Sequence, residues 1–402
     1  MLLTNGVLQG LTRLRKKLEN LAIAIKTRNI NDAHKYAKNT ILILAGITIS
    51  SLTNTGLFGR AKEAKEKTQA AEENQAKTLN EYEEELNKYV SQSTAVKKVA
   101  DNIGSVLSTT DNTELQDAYG NKIVVPAGFK ITNDASTVDK GIVIEDATSG
   151  ATAGSQFVWI PVGKIYTDTA KTDTNAKTIE LGRYEFDSNG IKSAYSGSCA
   201  EEDKEDTNTT LKNYGNTIAK NITNFKNSVA ANGGYYIGRY EARTTTARTA
   251  ADDALTQITE EGTGQVYNFV TQLQAAQLAQ NMYNSNKFTS DLMNSYAWDT
   301  ATLFLQTCGT NEKYSRQNSV NTTLLQTGTN TQETKDIQCN VYDMASNLRE
   351  WTTETFNNSD GPCIIRGGFY YYSDRFTSFR SNHKTSFSID YYGFRPVLYL
   401  YY

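Results

Sequence analysis

Near Asp101 the chain changes its repeat, and a single packing scheme cannot accommodate both sides of that change. Before it, apolar residues recur at three- and four-residue spacing: Leu11, Leu14, Leu18, Leu21 and Ile25 build one stripe along residues 1–38, the pattern of an amphipathic helix. A stretch rich in Ala, Glu and Lys follows from Ala61 to about Ala100, with Leu79, Tyr82, Leu86 and Val90 along one face. Continuous helix there would reach on the order of 60 Å at 1.5 Å per residue, which suits a stalk. After Asp101 the apolar runs shorten and are separated by Asn, Asp, Gly and Thr clusters, the texture of strands joined by many turns. The sequence therefore divides into an amphipathic helical segment (1–38), a short apolar run with a long charged helix (39–100), and a head (101–402).

Within the head, Val124–Phe129 and Gly141–Ile144 read as an entry hairpin, and Gln156–Val162 as a buried strand closed by Pro161. Residues 165–232 are polar, and the acidic run Glu201–Asp206 reads as a solvated loop. A second strong strand spans Gly233–Ala242. Phe269, Leu273, Ala276 and Gln280 give Tyr267–Tyr283 a helical pattern, and a further helix is expected around Trp298 within Asp291–Leu305. Strands beside two helices predict an α+β head.

Composition narrows the function. Lysine and arginine total 41 against 44 acidic residues, a net charge of −3, which supplies no field for nucleic acid. Four cysteines without a CxxC pair and two histidines give no zinc-ligand spacing. Cys339 and Cys363 are either a disulfide between adjacent strands or two core thiols. The apolar run Thr40–Ile49 is shorter than the roughly 20 residues that cross a bilayer, and no standard secretory signal opens the chain.

Four segments in order resemble the formylglycine-generating enzyme and sulfatase-modifying-factor family, whose fold is a variant of the C-type lectin fold. They are Phe157-Val158-Trp159-Ile160-Pro161; Tyr236-Ile237-Gly238-Arg239-Tyr240-Glu241; the run Asn340–Thr352, similar to Asn-Val-x-Asp-Met-x-Gly-Asn-x-x-Glu-Trp-Thr; and Ile365-Arg366-Gly367-Gly368 with Gly393-Phe394-Arg395-Pro396. Together they span 156–398. The resemblance implies a C-type-lectin-like, formylglycine-generating-enzyme-type head on a helical base and stalk. Arg366, Gly367, Gly368, Gly393, Phe394, Arg395, Asn347, Glu350 and Trp351 would be its scaffold, with the charged members in buried networks. Ser346 stands where the family has glycine, so its turn must admit a side chain. A calcium ion that some relatives hold nearby is the one cofactor the resemblance leaves open.

Catalysis in that family uses ligands that this sequence does not carry at the matching places. The sulfatase-activating members need two cysteines shortly after Arg-Gly-Gly to bind copper, and residues 364–402 contain none. The related sulfoxide synthases hold iron with a set of histidines, whereas the head has His383 alone. Ser381, His383 and Asp390 can be drawn as a Ser-His-Asp set, though their spacing orients no base toward a nucleophile. The sequence thus predicts a binding protein and no enzyme, the alternatives being an enzyme of this fold with an unrecognised mechanism or a pilin-like structural surface subunit.

Residues 369–392 lie where relatives place the active site. Nine of these 24 residues are Tyr or Phe and five are Ser, the pairing of rigid aromatic anchors with adaptable polar neighbours found in recognition surfaces. Roughly four of the nine aromatics belong to the core on this reading, Phe369 and Phe379 first, with Arg380 as scaffold. The candidate ligand-binding residues are Tyr370, Tyr371, Tyr372, Asp374, Phe376, Ser378, Ser381, Asn382, His383, Ser386, Phe387, Asp390, Tyr391 and Tyr392. The segment also resembles the variable region of retroelement-diversified proteins, which end in Gly-Phe-Arg-Pro and lack Glu, Gln, Met and Trp at varied positions. Ile41–Lys67 is similar to the rear of a pilin-like N-terminal helix, without the cleavage site that precedes it there. These resemblances imply a protein or glycan ligand, membrane or filament association of the N-terminal region, and oligomers through the stalk. A cell-surface or extracellular location follows, with a cytoplasmic one left open.

Overall fold

The computed structural model describes residues 5–26, 32, 35–40, 77–78, 96–201, 222–329, 336–358 and 360–401. The chain divides into two units, Met1–Thr94 and Ala95–Tyr402. In the first, helix α1 spans Asn5–Lys26, and residues 35–40 are also helical. Leu14 and Leu21 are half-buried and Leu18 is exposed. The run 41–49 and the stalk seam Leu79, Tyr82, Leu86 and Val90 lie outside the described residues. Among the described residues, no helix is long and apolar enough to cross a membrane.

The second unit is α+β. It opens with a hairpin of β1 (Thr113–Gln116) and β2 (Lys122–Val125). Its larger sheet contains β3 (Phe129–Ile131), β4 (Val143–Asp146), β5 (Gln156–Pro161), β6 (Gly234–Gly238) and β7 (Phe288–Leu292). A smaller sheet has β8 (Arg349–Phe356), β9 (Cys363–Arg366), β10 (Arg380–His383) and β11 (Tyr392–Gly393), with Cys199–Ala200 on its edge. β12 (Pro396–Leu400) returns to the larger sheet, whose order is β7-β12-β6-β5-β4-β3, antiparallel throughout. β5, β6 and β12 are covered on both faces, so they read as near-continuous apolar runs where a one-sided strand would alternate.

The expected entry hairpin is repartitioned. Val124 and Val125 pair with β1, and the partner of β4 is β3, which starts at Phe129; Gly128, at a φ of 82°, turns the chain between the two. Three helices pack on the larger sheet: α2 (Ile222–Asn232), α3 (Gln272–Met282) and α4 (Ser295–Cys308). α2 falls in the stretch read as polar. Its apolar side is thin, Ile222, Phe225 and Val229, yet Phe225 packs between Tyr235 and Tyr399 at 5.2 and 5.5 Å. α3 begins later than its apolar spacing suggests. Thr271 and Gln274 form a reciprocal capping box, and Phe269 sits before it in the left-handed region. α4 starts after Asn294, whose side chain accepts from the Ala297 N–H, because Asp291 and Leu292 are still paired in β7.

One open alternative is decided and one expectation is corrected. All four cysteines are free: Cys363 lies in β9 opposite His383 and Thr355, whereas Cys339 occupies a turn between Ile337–Gln338 and Val341–Tyr342 with its Sγ toward the Asp139 carbonyl. Glu201 is no solvated loop residue, because its carboxylate accepts from the Ser295 N–H and the Thr353 hydroxyl. The rest of that acidic run, 202–206, lies outside the described residues.

Candidate functional site

Arg395, in the corner between β11 and β12, is wholly buried and must satisfy five N–H groups without water. It does so at the junction of the two sheets. Its Nε lies 3.0 and 2.9 Å from the Glu350 carboxylate oxygens and its Nη2 2.7 Å from Oε1. The remaining donors reach the carbonyls of Gly238 at 3.0 Å and Tyr342 at 2.8 Å. Burial pushes the Glu350 carboxyl up and Arg395 draws it back. Glu241 and Glu260 are buried nearby, and burial first raises both well above the usual carboxylate range. Of the three carboxyls, Glu350 is the one paired with Arg395.

Asn347 ties the same junction to the loop before it. Its Nδ2 donates to Glu241, its Oδ1 accepts from the Leu325 N–H at 2.9 Å, and Glu241 also accepts the Leu348 N–H at 2.8 Å. The turn admits Ser346 because the left-handed conformations fall on Asp343 and Asn347, at φ of 63° and 56°. The Ser346 hydroxyl meanwhile accepts the Val320 N–H. Calcium does not fit the Asn347–Glu241 pair, whose side-chain oxygens already take N–H donors. Among the described residues, no group of three or more His, Cys, Asp or Glu could hold a metal ion.

A second buried network supports β8–β10. Arg366 meets Asp299 and Glu354, Arg380 meets the same two acids, and Arg183 donates to Glu354 at 2.6 Å. Burial would raise the Glu354 carboxyl, but Arg380, Arg366 and Arg183 together hold it below the usual range. Gly367 and Gly368 are glycine for a steric reason. A Cβ would come 2.7 Å from the Met344 carbonyl oxygen at the first and 2.0 Å from that of Ala345 at the second. Gly393 packs on Leu348, Phe394 is buried against Tyr267, and the Trp351 indole donates to the Val270 carbonyl.

On this frame lies the aromatic segment. Phe369 is buried, whereas Tyr371 and Tyr372 are 63% and 53% exposed. Tyr371 stacks on half-buried Tyr391 at 5.9 Å and 19°, and Phe369 underlies Tyr391 at 5.0 Å and Tyr372 at 5.5 Å. The Tyr370 N–H donates to the Asn347 carbonyl and its hydroxyl to Asp390 at 2.9 Å. The chain of rings continues from Tyr391 through Tyr392 to Phe387 and His383. Asp374, Asn382 and Ser386 are exposed and Phe376 is half-buried, covered by Arg316.

The structure removes two residues from the candidate face. Tyr392 is 2% exposed, edge-on to Trp351 at 5.3 Å, and Ser378 is buried, its hydroxyl donating to the Ser315 carbonyl. Both sit in a stretch whose composition gives no hint of which rings turn inward. The Ser-His-Asp set does not assemble either. His383 Nε2 is 2.7 Å from the Tyr392 hydroxyl and 3.5 Å from Ser381 Oγ, while Asp390 holds Tyr370. Burial and then the Arg349 charge lower His383 to about 4, leaving it neutral at physiological pH. Arg349 itself, beneath the tyrosines, is the residue that sequence reasoning passed over. Its one available signal is a second charge directly beside Glu350.

The family model for FGE-sulfatase, the sulfatase-modifying factor enzyme 1-like domain, matches residues 222–400. An FGE-sulfatase domain therefore occupies the C-terminal half of the chain. It begins at α2 and takes in both arginine corners and the tyrosine layer; β3, β4 and β5 complete its larger sheet from outside the matched span. No curated protein and no solved structure matches the chain.

Two outcomes test this frame of the FGE-sulfatase domain. Arg395→Met strands the Glu350 carboxylate and is expected to cost about 3–5 kcal/mol in denaturant unfolding, most of it recovered in the Arg395→Met/Glu350→Met double variant. For Glu201, burial first and then the Glu354 charge raise the folded pKa to about 7 from the ordinary 4.5. Its stabilising contribution is complete below the unfolded value and is lost as pH rises through about 7. Between pH 5 and pH 8 the melting temperature of the parent should fall relative to Glu201→Gln by on the order of 5 °C, read by parallel thermal melts.

Proposed function

We propose that this chain is a non-catalytic binding protein whose head offers Tyr370, Tyr371, Tyr372 and Tyr391 to a protein or glycan ligand. The observation that carries the reading is the exposure of Tyr371 and Tyr372, packed on half-buried Tyr391 and buried Phe369. Rings that are already held in place lose little conformational freedom on contact, so they bury area at low entropic cost. Two things argue against catalysis at this place: residues 364–402 supply no cysteine, and His383 is engaged by Tyr392 away from any carboxylate.

The proposal extends to display at a cell surface, with the N-terminal helical region as the anchor or assembly element. It extends also to diversification of the aromatic segment by a retroelement. A reverse-transcriptase gene beside this one, with a near-copy of codons 369–396, is the expected genomic finding; an isolated gene counts against diversification. For the binding role itself, the full chain and its Tyr371→Ser/Tyr372→Ser variant are screened against immobilised glycans and surface proteins. Loss of at least tenfold in affinity, with an unchanged melting temperature, is expected for each ligand found. Equal affinity would remove the tyrosine layer as the binding face.

A further inference from the structure

Among the described residues, five arginines are buried to 6% exposure or less: Arg239, Arg248, Arg349, Arg366 and Arg395. Four are answered. Arg239 meets Asp134, Arg366 meets Asp299 and Glu354, and Arg395 meets Glu350. Arg248 donates to six backbone carbonyls, those of Ala250, Ala251, Asp253, Ala254, Asn268 and Phe269. Arg349 differs. Its Nε and Nη2 are buried without a hydrogen-bond acceptor, the Tyr392 hydroxyl is the one side-chain group that supports its charge by hydrogen bonding, and among the described residues no carboxylate pairs with it.

What surrounds Arg349 is aromatic. Its guanidinium lies 5.4 Å from the centre of Phe369, 5.3 Å from Phe379 and 5.8 Å from Tyr392. Arg375 adds a second guanidinium on Phe379, at 4.6 Å. The acids of the segment are committed elsewhere: Asp374 pairs with Arg375 at the surface, and Asp390 accepts from Tyr370. Ring faces attract a cation only modestly, while an isolated buried charge carries a larger desolvation cost. The rings reduce this deficit without cancelling it, and a carboxylate arriving from outside would form the charge-assisted fork that the other buried arginines already have.

We propose that Arg349 is an anion-receiving group beneath the tyrosine layer, and that the ligand of this face is a protein presenting an Asp or Glu side chain. The inference rests on the binding role proposed above and adds its chemistry. A protein is favoured over an acidic sugar by reach. The carboxylate must pass the rings of Phe369, Phe379 and Tyr392 to meet a side chain that is 5% exposed, and Asp and Glu carry theirs on a thin flexible stem, whereas a sugar acid carries it directly on a ring.

The test uses the full chain with three small probes, N-acetylglutamate, N-acetylglutamine and glucuronate, followed by ligand-observed NMR at low salt. N-acetylglutamate is expected to bind at least tenfold more tightly than N-acetylglutamine, to weaken as salt is raised, and to lose that preference in Arg349→Met. The melting temperature of Arg349→Met should equal or exceed that of the parent, because an uncompensated charge has been removed. Equal binding of the two amino-acid probes by the parent overturns the proposal without using any variant. So does a tenfold preference for glucuronate, which would assign the site to an acidic glycan, or a variant that melts more than 5 °C lower, which would make Arg349 a core element. Ligands of the tyrosine layer that bind the parent and Arg349→Met alike would leave the binding role standing and remove this inference alone.

Discussion

The pairing of Arg395 with Glu350 is the constraint on which the head depends. A guanidinium removed from water has no acceptable state except full satisfaction, and here that requires β8, the end of β6 and the turn at Tyr342 to converge on one point. Such a pair is weak evidence for added stability, since apolar residues of the same shape can do as well. Its value lies in geometry. A strand slipped by one residue would leave a buried ion without its partner, so register and sheet junction are fixed together.

The same logic is repeated a few ångströms away with three arginines and two acids. Arg183, Arg366 and Arg380 share Asp299 and Glu354, so α4, β8, β9 and β10 cannot move independently. Between these two corners, residues 370–376 contribute no member to either charge network. A tyrosine layer held from below, by Phe369 and by the Asn347 carbonyl, is the consequence. Arg349 stands out against this background: in a domain that answers its other buried guanidiniums, one is left facing rings.

A good deal of this was legible in the amino-acid order. Gln156–Pro161 and Gly234–Gly238 are strands because apolar residues run without alternation between turn-forming residues, which only a doubly covered strand requires. Arg366, Arg395 and Glu350 could be named as a buried network from the glycines and aromatics beside them. Other elements were hidden. α2 has too few apolar positions to announce itself and becomes a helix by packing Phe225 between two strands that are distant in sequence. The hairpin partners of Val124 and Phe129 were misassigned because a continuous apolar run does not mark where one strand stops and the next begins.

For the site, sequence by itself determined chemistry: which residue types line 369–392, and that no thiol follows the Arg-Gly-Gly corner. Tertiary structure decided orientation. Tyr371 faces solvent and Tyr392 faces Trp351, although both are tyrosines in the same short segment. Whether His383 can act as a base, or Asp390 as its partner, is set by a hydroxyl 2.7 Å away and by a neighbouring tyrosine. The physical reason is that composition fixes what a segment can contact, while burial and hydrogen-bond partners come from residues far along the chain, which no local pattern records.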